Sequence, residues 1–222
     1  PAGGLGAFGV YPASDSTATA TTSHLENQYL RVEFHPNGSF DLIDKEQRRR
    51  YKDLHRLEDS LDCGDEYNYR IPADDHHSHP QADATRIGPI QDNGVFVQCQ
   101  VQTALVVRDR SLPLSYTLRL GHHSRRLDIH LELENSAANH RLRVLFPTDV
   151  DTTVASADGQ FDHVERPITP TAVWENPSNC QPQQAFVDVS GADGGLLLAN
   201  RGLPEHEMLQ DGRNTIALIL LR

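Results

Sequence analysis

Leu127-Asp128-Ile129-His130-Leu131-Glu132-Leu133-Glu134 sets apolar and polar residues in strict alternation. Successive side chains of an extended strand leave opposite faces, so a period of two is what a half-buried strand demands. A helix would need its apolar residues three and four apart. Working outward, the same period recurs in Val95, Val97, Cys99, Val101, Thr103, Leu105 and Val107, in Leu114, Tyr116, Leu118 and Leu120, and in Leu142, Val144 and Phe146. Residues 29–34 and 39–43 flank His35-Pro36-Asn37-Gly38, whose Asn-Gly supplies the positive φ of a tight hairpin turn. Further strands are predicted at residues 185–189, 196–200 and 215–221. No stretch sustains a long amphipathic helix. About ten strands punctuated by Gly, Pro, Asn and Asp predict an all-β fold, an antiparallel β-sandwich.

Two domain-level units follow. Residues 1–23 are Gly, Ala, Ser and Thr with few bulky groups, a linker or extended arm, and residues 24–222 form the sandwich domain. Within the arm, Gly4-Leu5-Gly6-Ala7-Phe8-Gly9 matches GxGxxG, but no strand precedes it and Tyr11-Pro12 stands where a helix should start, so it is no dinucleotide loop. The chain opens at Pro1 and closes on the apolar run Thr215-Ile216-Ala217-Leu218-Ile219-Leu220-Leu221-Arg222 with no turn after it. It is therefore expected to be cut at both ends, with the sandwich incomplete at its C-terminus.

Charge and cysteines bound the partners. The 222 residues hold 20 Lys+Arg against 31 Asp+Glu, a formal charge of −11. Binding to phosphate backbones or anionic lipid needs clustered cations, so neither nucleic acid nor a membrane is expected as a partner. No apolar run approaches the roughly 18 residues of a transmembrane helix. Cys63, Cys99 and Cys180 are widely spaced and form no CxxC, which fits neither a disulfide framework nor a zinc cluster. A reducing compartment, and so a cytoplasmic location, is expected.

Residues 62–80 and 158–184 break the strand pattern and are predicted to be irregular segments that carry function. Asp65 and Glu66 are an obvious carboxylate pair, but neighbours on an extended chain point to opposite faces and could not flank one glycosidic bond. They read as a solvated acidic turn or as holders of a ligand or neighbouring domain. In Asp74-Asp75-His76-His77-Ser78-His79, His77 and His79 share a face and Asp75 could complete an N/O ligand set, or the run is simply a polar loop. There is no GxSxG elbow and no GxxxxGK phosphate cradle, so the chain shows no self-contained active site. Its hardware suits sugars: Tyr67, Tyr69 and Trp174 offer faces for a pyranose, and Asp65, Glu66, Arg166 and Arg201 offer ionic hydrogen bonds to hydroxyls.

Several strings point further. Leu25-Glu26-Asn27-Gln28-Tyr29-Leu30-Arg31-Val32, Gly64-Asp65-Glu66-Tyr67-Asn68-Tyr69, Ser124-Arg125-Arg126-Leu127-Asp128-Ile129, Asn139-His140-Arg141-Leu142-Arg143-Val144-Leu145-Phe146-Pro147, Asp158-Gly159-Gln160-Phe161, Phe186-Val187-Asp188-Val189-Ser190 and Asn200-Arg201-Gly202-Leu203-Pro204-Glu205 follow one another in order. Over residues 24–222 they resemble the C-terminal β-region of glycoside hydrolase family 38, the α-mannosidases, in its bacterial branch, which includes mannosylglycerate-type hydrolases. The resemblance implies a galactose-mutarotase-like supersandwich, a mannoside substrate and retaining hydrolysis. It also implies that the catalytic aspartate and a zinc ion lie in a missing N-terminal catalytic barrel, followed by a helical domain, so no cofactor and no catalytic residue is expected in this chain. By resemblance, Tyr67 falls where a β-region tyrosine contacts the sugar and Arg201 where an arginine lines the same entrance; Asp65 and Glu66, expected to hold the Tyr67 turn, and Tyr69, from its aromatic face, complete the expected substrate-binding residues. The rival readings are a free-standing carbohydrate-binding sandwich and a purely structural scaffold.

Overall fold

The computed structural model describes residues 24–65, 67–75, 77–169 and 180–222. The predicted arm at 1–23, Glu66, His76 and Trp174 lie outside the described residues. Every strand pairing among the described residues is antiparallel. The first sheet is a meander of β1 (His24–Glu26), β2 (Leu30–Phe34), β3 (Phe40–Asp44) and β4 (Arg49–Leu54). Its β2–β3 turn is the predicted one: Gly38 takes φ +88, and Phe34 pairs with Phe40. A Cβ on Gly38 would sit 2.4 Å from the Tyr116 hydroxyl, which donates to the Gly38 carbonyl at 2.5 Å. Glycine is required there twice over, for φ and for space.

Asp53 and His55, both at φ 60, turn the chain out of the first sheet and into β5 (Arg56–Leu61). After a 3-10 turn at Ala82–Ala84 come β6 (Arg86–Ile87), β7 (Gln91–Asp92), β8 (Phe96–Val107), β9 (Arg110–Gly121) and β10 (Leu127–Leu133), which form a second sheet. The stretch that opened the sequence reading is β10, the edge of that sheet. Leu127, Ile129, Leu131 and Leu133 are half-buried against the core while Asp128, His130 and Glu132 are exposed. In β8 the alternation is equally clean, with Val97, Cys99, Val101, Thr103, Leu105 and Val107 buried. The chain continues through β11 (His140–Phe146), β12 (Val154–Asp158), β13 (His163–Pro167), β14 (Cys180–Pro182), β15 (Phe186–Gly191), β16 (Gly194–Ala199), β17 (Glu205–Leu209) and β18 (Thr215–Leu221). These complete a sheet in the order β14-β17-β18-β11-β5 and another in the order β13-β12-β15-β16. One hydrophobic cluster, from Leu25 to Leu218, receives side chains from all four sheets.

Two features depart from the sequence reading. The segment 158–184, predicted to be irregular, contains β13 and β14. Both are edge strands, and Pro167 and Pro182 stand at their ends. A proline cannot donate to a ladder, so an edge is where a strand tolerates it, and the prolines hid the strands from a pattern search. The second departure is β11. Its predicted alternation of Leu142, Val144 and Phe146 holds for one face, but all seven residues are buried, Arg141 and Arg143 included. Both faces of that strand are covered. By contrast, residues 62–80 carry no named strand among the described residues and only the isolated bridge Asp59↔Ser78, as predicted. No helix among the described residues is long and apolar enough to cross a membrane.

Candidate functional site

The alternation along β11 sends Leu142, Val144 and Phe146 to the core and Arg141 and Arg143 to the opposite face of the sheet. Register then builds a charged layer. Arg143 stands opposite Glu58 of β5 and pairs with it, and its Nη1 lies 2.6 Å from Glu207 Oε2 of β17. Arg141 Nη1 reaches the same Glu207 oxygen at 3.2 Å. The arginine side chains are 4% exposed. Taking such charges out of water costs several kcal/mol per ion unless each is paired. Pairing wins here: burial alone would lower the Arg143 pKa, but Glu58 and Glu207 more than offset it and leave it raised. Burial likewise pushes Glu58 up, yet Arg143 and His77 hold its carboxyl below the usual range.

Residues 62–80 cross over this layer. Arg141 Cζ lies 3.4 Å from the centroid of the Tyr69 ring, and the Tyr69 hydroxyl is 3.4 Å from Ser60 Oγ. His77 Nδ1 is 3.1 Å from Glu58 Oε2 and its Nε2 is 3.3 Å from Asp75 Oδ2. His79 Nδ1 meets the Leu57 carbonyl at 3.1 Å, and Asp75 Oδ1 accepts from the Leu61 N–H at 2.9 Å. The His-rich run thus fastens a loop to β5.

At the tip of this segment is a built turn. Asp62 Oδ1 accepts from the N–H groups of Gly64 and Arg70 at 2.8 and 3.0 Å, closing the turn at both ends. Asp65 Oδ1 accepts from Tyr67 and Asn68 N–H at 2.9 and 2.8 Å, and these backbone donors hold the Asp65 carboxyl below its ordinary pKa. A Cβ on Gly64 would fall 1.8 Å from the Asn68 carbonyl oxygen, so only glycine fits. Arg222 Nε pairs with Asp62 at 3.1 Å, and Arg222 also donates to the Asp65 carbonyl. The result is a Tyr67 side chain standing out with the residue 80% exposed.

The sequence-derived residues therefore divide. Asp65, Tyr67 and Tyr69 share one turn, with Asp65 bracing it, Tyr67 projecting and Tyr69 half-buried on Arg141. Arg201 is exposed on the loop between β16 and β17, where Asn200 Oδ1 accepts from Leu203 N–H and Asn200 N–H donates to Ala185 O. No hydrogen bond or ion pair among the described residues links Arg201 to residues 62–70. Arg166, half-buried on the face of β13 that it shares with Val164, donates to the Pro182 carbonyl at 3.4 Å. Sequence reasoning missed Glu58, Arg141, Arg143 and Glu207. Its available signal was the pair of arginines at alternate positions inside an apolar strand, which makes no sense on an exposed face of a sheet when the next residue of that face is Leu145.

A family model for the glycosyl hydrolases family 38 C-terminal domain matches residues 25–222. The chain belongs to family 38. Among its relatives, the "Putative mannosylglycerate hydrolase" of Halalkalibacterium halodurans is 29% identical over 227 residues, covering 89% of this chain and 25% of that protein. An alpha-mannosidase from Enterococcus faecalis V583 superposes with a TM-score of 0.83 at 28% identity, over 92% of this chain and 26% of its own. A second family 38 protein from Enterococcus faecalis gives 0.79 at 27% identity, over 96% and 28%. The chain spans about a quarter of the length of the relatives it matches. Family 38 membership raises the question of zinc. Among the described residues no group of three or more His, Cys, Asp or Glu side chains is arranged to hold a metal ion. The residues of the His-rich run do not fit one, because Glu58 is committed to Arg143 and His77, and Asp75 to the Leu61 N–H.

Proposed function

We propose that this chain is the β-domain of a family 38 α-mannosidase-type hydrolase and forms one wall of its sugar subsite. Tyr67 stacks on the mannoside, Arg201 anchors polar or anionic substituents, and Asp65, with Glu66 beside it, holds the Tyr67 turn. The observation that carries this reading is the turn itself: four carboxylate-capped amides, an obligatory glycine and an arginine clamp are spent on displaying one exposed aromatic ring. An aromatic face on a rigid support is what the C–H surface of a pyranose requires. For the whole protein the reading is hydrolysis with retention, in which two carboxyl groups of an N-terminal catalytic domain act as nucleophile and as acid then base. This chain contributes contacts and shape to that reaction. The four antiparallel sheets around one core support a galactose-mutarotase-like supersandwich. The wide spacing of Cys63, Cys99 and Cys180, with no CxxC, is the sequence feature that supports a reducing, cytoplasmic setting.

The test is Tyr67→Ala in the protein expressed from the entire open reading frame. Loss of a stacking contact worth about 1.4 kcal/mol raises KM for an aryl α-mannoside about tenfold with kcat little changed. An unchanged KM with a lowered Tm would assign the turn to scaffolding and overturn the reading.

A further inference from the structure

We infer that Arg141, held by Glu207 in the buried charge layer, is the positioning residue of the Tyr67 turn. This rests on the reading of Tyr67 as a sugar contact. On the face of the sheet that bears Arg141, Leu145, Ala217 and Ile219 are apolar and buried, while Arg56, opposite Leu145, is half-buried and paired with Asp53. Where residues 62–80 cross that face, Tyr69 lies on Arg141 and His77 on Glu58, and these two charges join Arg143 and Glu207 in one network. A buried ion network is seldom more stable than well-packed apolar residues of the same volume, so stability alone does not account for it. What the network provides is direction. Glu207 fixes the plane of the Arg141 guanidinium, and that plane carries the Tyr69 ring, two residues beyond Tyr67. A planar guanidinium can do this by stacking in a way that a compact ammonium cannot. With Arg222 on Asp62 and on the Asp65 carbonyl, the turn is held at its base from one side and under Tyr69 from the other.

Arg141→Met is the informative variant, because Glu207 keeps its Arg143 partner at 2.6 Å and no charge is stranded. In the 222-residue chain, amide hydrogen exchange by NMR should show Tyr67 and Asn68 exchanging at least about tenfold faster, with the β8–β9 ladder unchanged. Unchanged turn amides, or equal acceleration throughout the ladder, would overturn the proposal. Should that variant fold poorly, Tyr69→Leu breaks the same link from the other side and must give the same local pattern. In the protein from the entire open reading frame, Arg141→Met should raise KM severalfold with kcat preserved, and should add nothing further in a Tyr67→Ala background. Additive effects would show that Arg141 acts by another route. If Tyr67→Ala alone leaves KM unchanged, the subsite reading fails, while the exchange experiment still decides whether Arg141 positions the turn.

Discussion

Arg143 sits between two carboxylates that have few other partners. Glu58 keeps His77, and Glu207 keeps Arg141, but neither replaces a guanidinium bridging both. Arg143→Ala leaves buried Glu58 and half-buried Glu207 undercompensated and should cost about 3 kcal/mol, read as a lowered urea midpoint at neutral pH. The buried histidines make a separate prediction. Burial pushes His55, ringed by Phe40, Tyr116 and Phe146, down to about 3. Burial and the nearby Arg166 take His206 down to about 4. The Nδ1 atoms of both have no hydrogen-bond partner, consistent with rings that stay neutral when folded. A histidine whose folded pKa is depressed contributes stability that is complete above its unfolded value of 6.5 and is lost as pH falls toward the folded one. Between pH 6.5 and about 5 each should remove about 2 kcal/mol, while Glu58, also depressed, adds its loss only below its ordinary 4.5. Unfolding midpoints across that window should slope steeply with pH, and His206→Gln should remove about half of the slope. A flat profile would contradict the burial of these rings.

At the scale of elements, the long β8–β9 pair was legible because its alternation runs unbroken from Val97 to Val107 and its inward residues are all apolar or Thr103. β4 and β5 were not, since Arg49–Leu61 is crowded with charges, two of which, Glu58 and Asp59, fold inward against Arg143 and His140. Periodicity detects apolar burial, and a strand that buries Glu58 and Asp59 gives it nothing to detect. The same blindness hid the site's support: Tyr67 and Asp65 stand out as residues in an irregular segment, while Arg141 and Glu207 meet only through strand register. The β2–β3 turn gives the element-scale test. Gly38→Ala imposes a side chain at φ +88 and drives Cβ against the Tyr116 hydroxyl, so it should destabilise the chain by more than about 1 kcal/mol by thermal or urea unfolding. A neutral outcome would mean that the turn relaxes without disturbing the core.

For the molecule as a whole, the prediction is catalytic silence. The chain's paired carboxylates are bracing groups, with Asp65 spent on backbone amides and Glu58 on Arg143, so the purified 222-residue chain should not hydrolyse an aryl α-mannoside. Turnover above the level of a mock purification would refute this. A period of two and an Asn-Gly turn were enough, in the sequence alone, to determine that the chain folds as antiparallel β. The ordered strings from Leu25 onward were enough to place it in family 38, because strand faces and turn geometry are written locally. Only the tertiary structure decided how the strands divide into four sheets around one core, that β11 is covered on both faces, and that a buried arginine lies beneath the Tyr67 turn. Those features depend on residues such as Glu58, Arg141 and Glu207, far apart in the chain, whose burial is affordable only once each has met its partner.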